Sequence, residues 1–128
     1  MIFSLSESMK KHQRILKNAE FSSIISKRKS FVCPAMIVYT APKKEEHARV
    51  GISVGKKVGK AVVRTRVKRQ LRALIDSVFT FDESFDSIVI VRPAFLKMDY
   101  EQRHKMLSEL HERARLKYER GSHEKIAS

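Results

Sequence analysis

The chain has 128 residues, enough to fill one hydrophobic core and too few for two. Hydrophobic residues make up 42% and the net charge is +13, so a folded domain with a polyanionic partner is expected, nucleic acid ahead of an anionic membrane surface. No apolar run approaches the roughly 18 residues of a membrane span, and the start MIFSLSESMKK has too short an apolar patch for a secretory signal.

In chain order, residues 1–13 show no periodicity and are expected to be mobile, as is the stretch 119–128, leaving an ordered core over about 14–118. Asn18 offers a helix N-cap, with Glu20 in the first turn where the helix dipole favours negative charge. Phe21, Ile24 and Ile25 mark the apolar side of that helix, and Lys27, Arg28 and Lys29 its basic end. Residues 31–33 and 35–40 read as strands parted by Pro34, and Pro42 with the charged run 43–46 reads as a turn. Cys33, the single cysteine, is expected as a buried thiol, which suits a reducing cytosol. Residues 49–54 alternate, with Val50, Ile52 and Val54 on one face of a strand and Arg49, Gly51 and Ser53 on the other.

A loop bracketed by Gly55 and Gly59 leads into the most ordered part of the sequence. Val63, Val67, Leu71, Leu74 and Val78 fall on one stripe of a helix, the spacing of a buried face. Residues 80–86 follow as a polar loop, whose acids Asp82, Glu83 and Asp86, like Asp76 before them, are expected to face solvent. Ile88 to Val91 is a continuous β-branched run that fits a strand covered on both faces, ended by Pro93. A last helix is expected over about 99–118, with Leu107, Leu110, Ala114 and Tyr118 toward the core and no clear structure from Arg120. The fold class is a single α+β domain.

Between residues 49 and 75 stand nine Lys or Arg residues and not one Asp or Glu. On a helical wheel Arg64, Lys68 and Arg72 form a row about 12 Å long. Thr65 and Arg69 lie beside it, while Arg66 points away, toward the margin of the opposite side. Like charges at i, i+4 destabilise a helix by roughly a few tenths of a kcal/mol. Their retention without acidic relief points to a polyanion as the missing partner. Lys56, Lys57 and Lys60 carry the same charge into the preceding loop, and Arg can grip a phosphate with two donors where Lys cannot.

Catalytic chemistry is not visible in the residues. The histidines, His12, His47, His104, His111 and His123, do not pair with cysteine at metal-ligand spacing and read as surface residues. His111-Glu112 begins like a zinc-protease motif, but Arg115 stands where the second histidine belongs. The segment from Gly55 to Ala61 resembles a phosphate loop with one residue too few between its glycines, and it lacks the hydroxyl that would hold magnesium. A protein that binds a polyanion and is no catalyst by itself is the expectation.

The order GKKVGKAVVRTRVKR closely resembles the signature of the bacterial ribonuclease P protein component, with Lys56, Lys57, Gly59, Ala61, Val62, Arg64, Arg66, Lys68, Arg69 and Arg72 in register. Gly55 replaces the usual Ser and Thr65 the usual Asn, which removes an amide's paired donor and acceptor. The resemblance implies an αβββαβα sandwich, a four-stranded sheet with helices and a left-handed βαβ crossover, as in ribosomal-protein-like RNA-binding domains. It also implies an accessory subunit whose catalytic partner is an RNA that removes the 5′ leader of precursor tRNA with Mg2+, none of it bound by the protein alone. The basic loop and helix, including Thr65 and Arg66, would contact RNA. Phe21 and Tyr39 match aromatics of a leader-binding cleft, and Ile25 falls where a second helix aromatic is common. The protein alone is expected to be a cytoplasmic monomer without a membrane partner.

Three rivals remain. A ribosomal or other structural RNA-binding protein of the translation apparatus would use a similar basic helix. A helix-in-groove DNA regulator is disfavoured because the basic row lacks Asn or Gln readers. A membrane-surface helix is disfavoured because the apolar stripe is needed for the core.

Overall fold

The computed structural model describes residues 18–127 except 28 and 45, and side chains from 20 to 119. The expectations for residues 1–13, for Arg28 and for His123 therefore lie outside the described residues. Helix α1 (Asn18–Ser26) includes Asn18 as its first residue and carries Glu20 in its first turn. It stops before the basic run, with Ser26 Oγ donating to the carbonyl of Ser23 at 2.8 Å in its last turn. Lys27 and Lys29 thus follow the helix instead of forming its end.

Strands β1 (Ser30–Val32) and β2 (Met36–Pro42) form an antiparallel hairpin, with Cys33 N–H bonded to the Met36 carbonyl at 3.0 Å across the connection. Cys33 is half-buried against the core, less enclosed than its residue type suggests. Pro42 is the last residue of β2, opposite Phe85, and not part of a turn; at a strand end its missing N–H is tolerated. Strand β3 (Val50–Val54) lies at one edge and pairs in parallel with β4 (Phe85–Val91), giving the order β1-β2-β4-β3. Helix α2 (Ala61–Val78) makes the crossover between these two parallel strands. A 3-10 turn, Pro93–Lys97, leads to α3, Tyr100–Ala127, which continues well past Tyr118. The sequence of elements is αβββαβα.

Strand alternation sorts the sheet into two faces. On one, Met36, Val38, Val50, Val54, Val89 and Val91 pack against Val67, Leu71, Leu74 and Ile75 of α2 and Leu107, Leu110 and Ala114 of α3. Val63, Val78 and Tyr118 close the margins of this cluster, so both expected stripes face the core. On the opposite face α1 contributes Ile24 to a smaller cluster with Ala41 and Ile88, flanked by Phe21, Ile25, Tyr39 and Ile90. Strand β4 is buried on both sides, as its β-branched run requires.

The acids of residues 80–86 do not all face solvent. Glu83 is buried, accepting from the Thr80 N–H at 2.8 Å and lying 2.7 Å from His111 Nε2. His111 is accordingly no surface histidine, and its ring also meets Phe79 edge-on at 4.7 Å. Asp86 belongs to β4, where its Oδ1 accepts the Arg49 N–H at 2.8 Å. These carboxylates can be buried because each has a specific partner, which one-dimensional spacing does not reveal. Phe81, just before Glu83, holds a φ of 66° while its ring is buried. That backbone conformation is unfavourable for a bulky residue, and burial of the ring offsets it. Asp76 and Asp82 are exposed as expected.

Candidate nucleic-acid interface

The basic loop is held by two buried valines. Val54 ends β3 and Val58 returns to the core, with the Val58 N–H donating to the Gly55 carbonyl at 3.1 Å. Between these anchors Lys56 and Lys57 project into solvent. A Cβ on Gly59 would come within 2.9 Å of Val63 Cγ1, so glycine lets the loop close onto the first turn of α2. Gly55 is different: a Cβ there meets nothing within 4 Å, and the serine usual in the resembled family would fit.

Helix α2 begins at Lys60 without a side-chain cap and without an acid in its first turn. The partial positive charge of its N-terminus therefore adds to that of Lys56, Lys57 and Lys60. Along the helix the structure redistributes the expected roles. Each i, i+4 step drifts about 40° around the axis, so Arg64 lies closest to the apolar stripe. Arg64, Lys68 and Arg72 are half-buried, and Arg64 Nε is enclosed without a protein hydrogen-bond partner. The outward line is instead Thr65, Arg66 and Arg69, which with Val62, 73% exposed, border one shallow surface hollow. Arg66, off the row on the wheel, thus shares a surface with Arg69. Thr65 donates its hydroxyl to the Ala61 carbonyl at 3.0 Å and presents outward only its acceptor capacity. None of Lys56, Lys57, Lys60, Arg64, Arg66, Lys68 or Arg69 is in an ion pair among the described residues.

A second surface lies on the opposite face of the sheet. Phe21, Ile25 and Tyr39 are brought together there, each half-buried around Ile24, Ala41 and Ile88. The Phe21 ring rests on Gly51, where a Cβ would stand 2.7 Å from Phe21 Cζ. Beyond α1 the next cross-strand row is Val32, Ile37, Ile90 and Ser53. It is only partly covered, with Val32 50% exposed, and forms an apolar strip with a polar edge beside Tyr39. Sequence reasoning missed this row. Each strand's alternation is legible, but only the register of four strands puts these residues side by side.

Arg49, one of the nine cations of the acid-free run, belongs to neither surface. Its Nη2 lies 2.5 Å from Glu20 Oε2 and 3.5 Å from Asp86 Oδ2. Burial works against its charge, but the hydrogen bond to Glu20 and the charges of Asp86 and Glu20 outweigh this and hold the guanidinium above its ordinary value. Asp86 and Glu83 are committed to internal partners. Among the described residues no three His, Cys, Asp or Glu side chains stand together as metal ligands. No helix among them is long and apolar enough to cross a membrane.

Comparison with known proteins identifies the family. The family model described as Ribonuclease P matches residues 9–115. The ribonuclease P protein component of Bacillus mycoides is 39% identical over 111 residues, covering 85% of this chain and 96% of that one. That of Streptococcus agalactiae is 37% identical over 99 residues, covering 77% and 91%. The solved RNase P protein of Staphylococcus aureus superposes with a TM-score of 0.71 at 36% identity, over 80% of this chain and 94% of that one. Fold, motif and similarity converge: the chain belongs to the bacterial ribonuclease P protein family, as the protein subunit of a ribonucleoprotein that processes tRNA.

Proposed function

We propose that the two surfaces divide the work of assisting an RNA catalyst. The loop cations Lys56, Lys57 and Lys60, with Arg66, Lys68, Arg69 and the outward parts of Arg64 and Arg72, neutralise phosphates of the catalytic RNA. The half-covered strip beside Phe21, Ile25 and Tyr39 receives the single-stranded 5′ leader of precursor tRNA. A strand entering it meets apolar side chains and one aromatic with a hydroxyl, a surface suited to bases whatever their sequence. Ile25, in place of an aromatic, keeps apolar contact there without a stacking face.

The observation that carries this reading is the acid-free set of cations on one side of the sheet with an incompletely covered apolar row on the other. Two RNAs can then approach one small domain without sharing a face. Magnesium serves the RNA, and no step passes through a metal held by this chain. The working unit is a cytoplasmic protein, monomeric until it meets RNA, folded as one domain.

The test is reconstitution with bacterial ribonuclease P RNA and precursor tRNA at low magnesium. Cleavage at the mature 5′ end is expected to rise on adding the protein. Tyr39→Ala is expected to reduce the gain for a long leader and to spare a substrate with a one-nucleotide leader. Equal loss on both substrates removes the leader assignment, and no stimulation at all removes the proposal.

A further inference from the structure

The partly open strip has a usable width only if α1 stays at a set distance from the sheet, yet that helix is short. Nine residues carry it, Asn18–Ser26, with Ile24 its one fully buried apolar side chain among those described. A helix of this length is marginal by itself, so its position depends on what ties it down. Two contacts do so at its N-terminal half. Phe21 seats its ring on the bare backbone of Gly51. Next to it Glu20 meets Arg49, whose guanidinium turns to Asp86 on the neighbouring strand and whose own N–H is held by the same carboxylate at 2.8 Å. The Arg49 carbonyl accepts the Ser87 N–H at 3.0 Å, so the arginine's backbone is locked into the sheet before its side chain reaches out. The Arg49 and Glu20 side chains are 12% and 21% exposed and that of Asp86 2%, so the pairs are shielded from solvent salt.

We propose that Arg49 is a positioning residue for the leader: by bridging Glu20 of α1 to Asp86 of β4 it sets the gap in which Ile25 and Tyr39 meet the RNA. Arg49 touches no RNA in this role. The inference rests on the leader reading above, and its discriminating variant is Glu20→Gln, which releases the α1 arm while leaving Arg49 on Asp86. In reconstituted holoenzyme, Glu20→Gln is expected to weaken binding of a long-leader precursor by about fivefold to tenfold. The KM for a one-nucleotide leader and the affinity for the catalytic RNA are expected to stay unchanged. Amide hydrogen exchange should speed up across Asn18–Ser26 and not in α2 or α3. Gly51→Ala, which displaces the Phe21 ring, should give the same leader-dependent loss. Tyr39→Ala is measured alongside. If Tyr39→Ala shows the leader-length effect and Glu20→Gln does not, the positioning role is wrong and the cleft stands. If both variants lose long and short leaders alike, or neither loses anything, the cleft reading fails and the positioning role falls with it.

Discussion

At the scale of single residues, exposure separates cations that can serve RNA from cations that serve the fold. Arg66 and Arg69 stand outward around one hollow, whereas Arg49 is consumed by Glu20 and Asp86. Reversal to Glu at both Arg66 and Arg69 is expected to weaken catalytic-RNA binding at least tenfold. The melting temperature should move by no more than about 5 °C, because two exposed substitutions, each usually within about 0.5 kcal/mol, sum to about 1 kcal/mol; filter binding and calorimetry check the two halves. Thr65→Asn restores an amide where the hydroxyl now bonds back to Ala61, and tighter RNA binding is its expected result in the same assay. Glu83 yields a pH prediction. Burial opposes its charge, but the hydrogen bonds from His111 and Thr80 outweigh burial and hold its carboxyl below the ordinary value of 4.5. Its contribution is therefore complete above about pH 4.5 and fades as acid takes the pH down through the lower folded value. Glu83→Gln should cost roughly 1–3 kcal/mol at pH 7 and flatten the acid limb of stability, as read by urea melts from pH 7 down to pH 3.

Elements are where pattern and structure agree best, and where their disagreements have local causes. The stripe of α2 packs as its spacing demands because Val67, Leu71 and Leu74 recur on one face of a helix that must bury something. Leu71→Ala is expected to cost about 2–5 kcal/mol and to lower RNA binding only in proportion to the unfolded fraction, which separates it from the arginine variants in a denaturant titration. The boundaries were less legible. The first helix ends before Lys27, and the last helix continues to Ala127 where the sequence shows no apolar repeat. Strand β4 starts at Phe85, inside what reads as a polar loop, because Asp86 can be buried once Arg49 pairs with its carboxylate, while the Ser87 N–H bonds the Arg49 carbonyl. For β4 the deciding partner, Arg49, lies distant in the chain.

For the molecule as a whole, charge sets a measurable signature. With about six phosphates of the catalytic RNA contacted, log affinity for that RNA should fall against log salt with a slope of about −4 to −5, and the Arg66, Arg69 double variant should shallow that slope by about 1.4 to 1.8 on the same relation. A salt series of equilibrium binding checks both. Hydrophobic period, strand alternation and the acid-free run were all readable from residue order, since each depends on neighbours a few positions away. They determined the α+β class, the core stripes and the polyanionic partner, and the motif they framed led to the family. Which cation faces solvent, which acid is buried, and which strip of sheet stays uncovered were settled only by tertiary structure. Those properties depend on strand register and on pairings such as Arg49 with Glu20 and Asp86, between residues 29 and 37 positions apart in the chain. Local sequence carries no record of such distances; the folded sheet does.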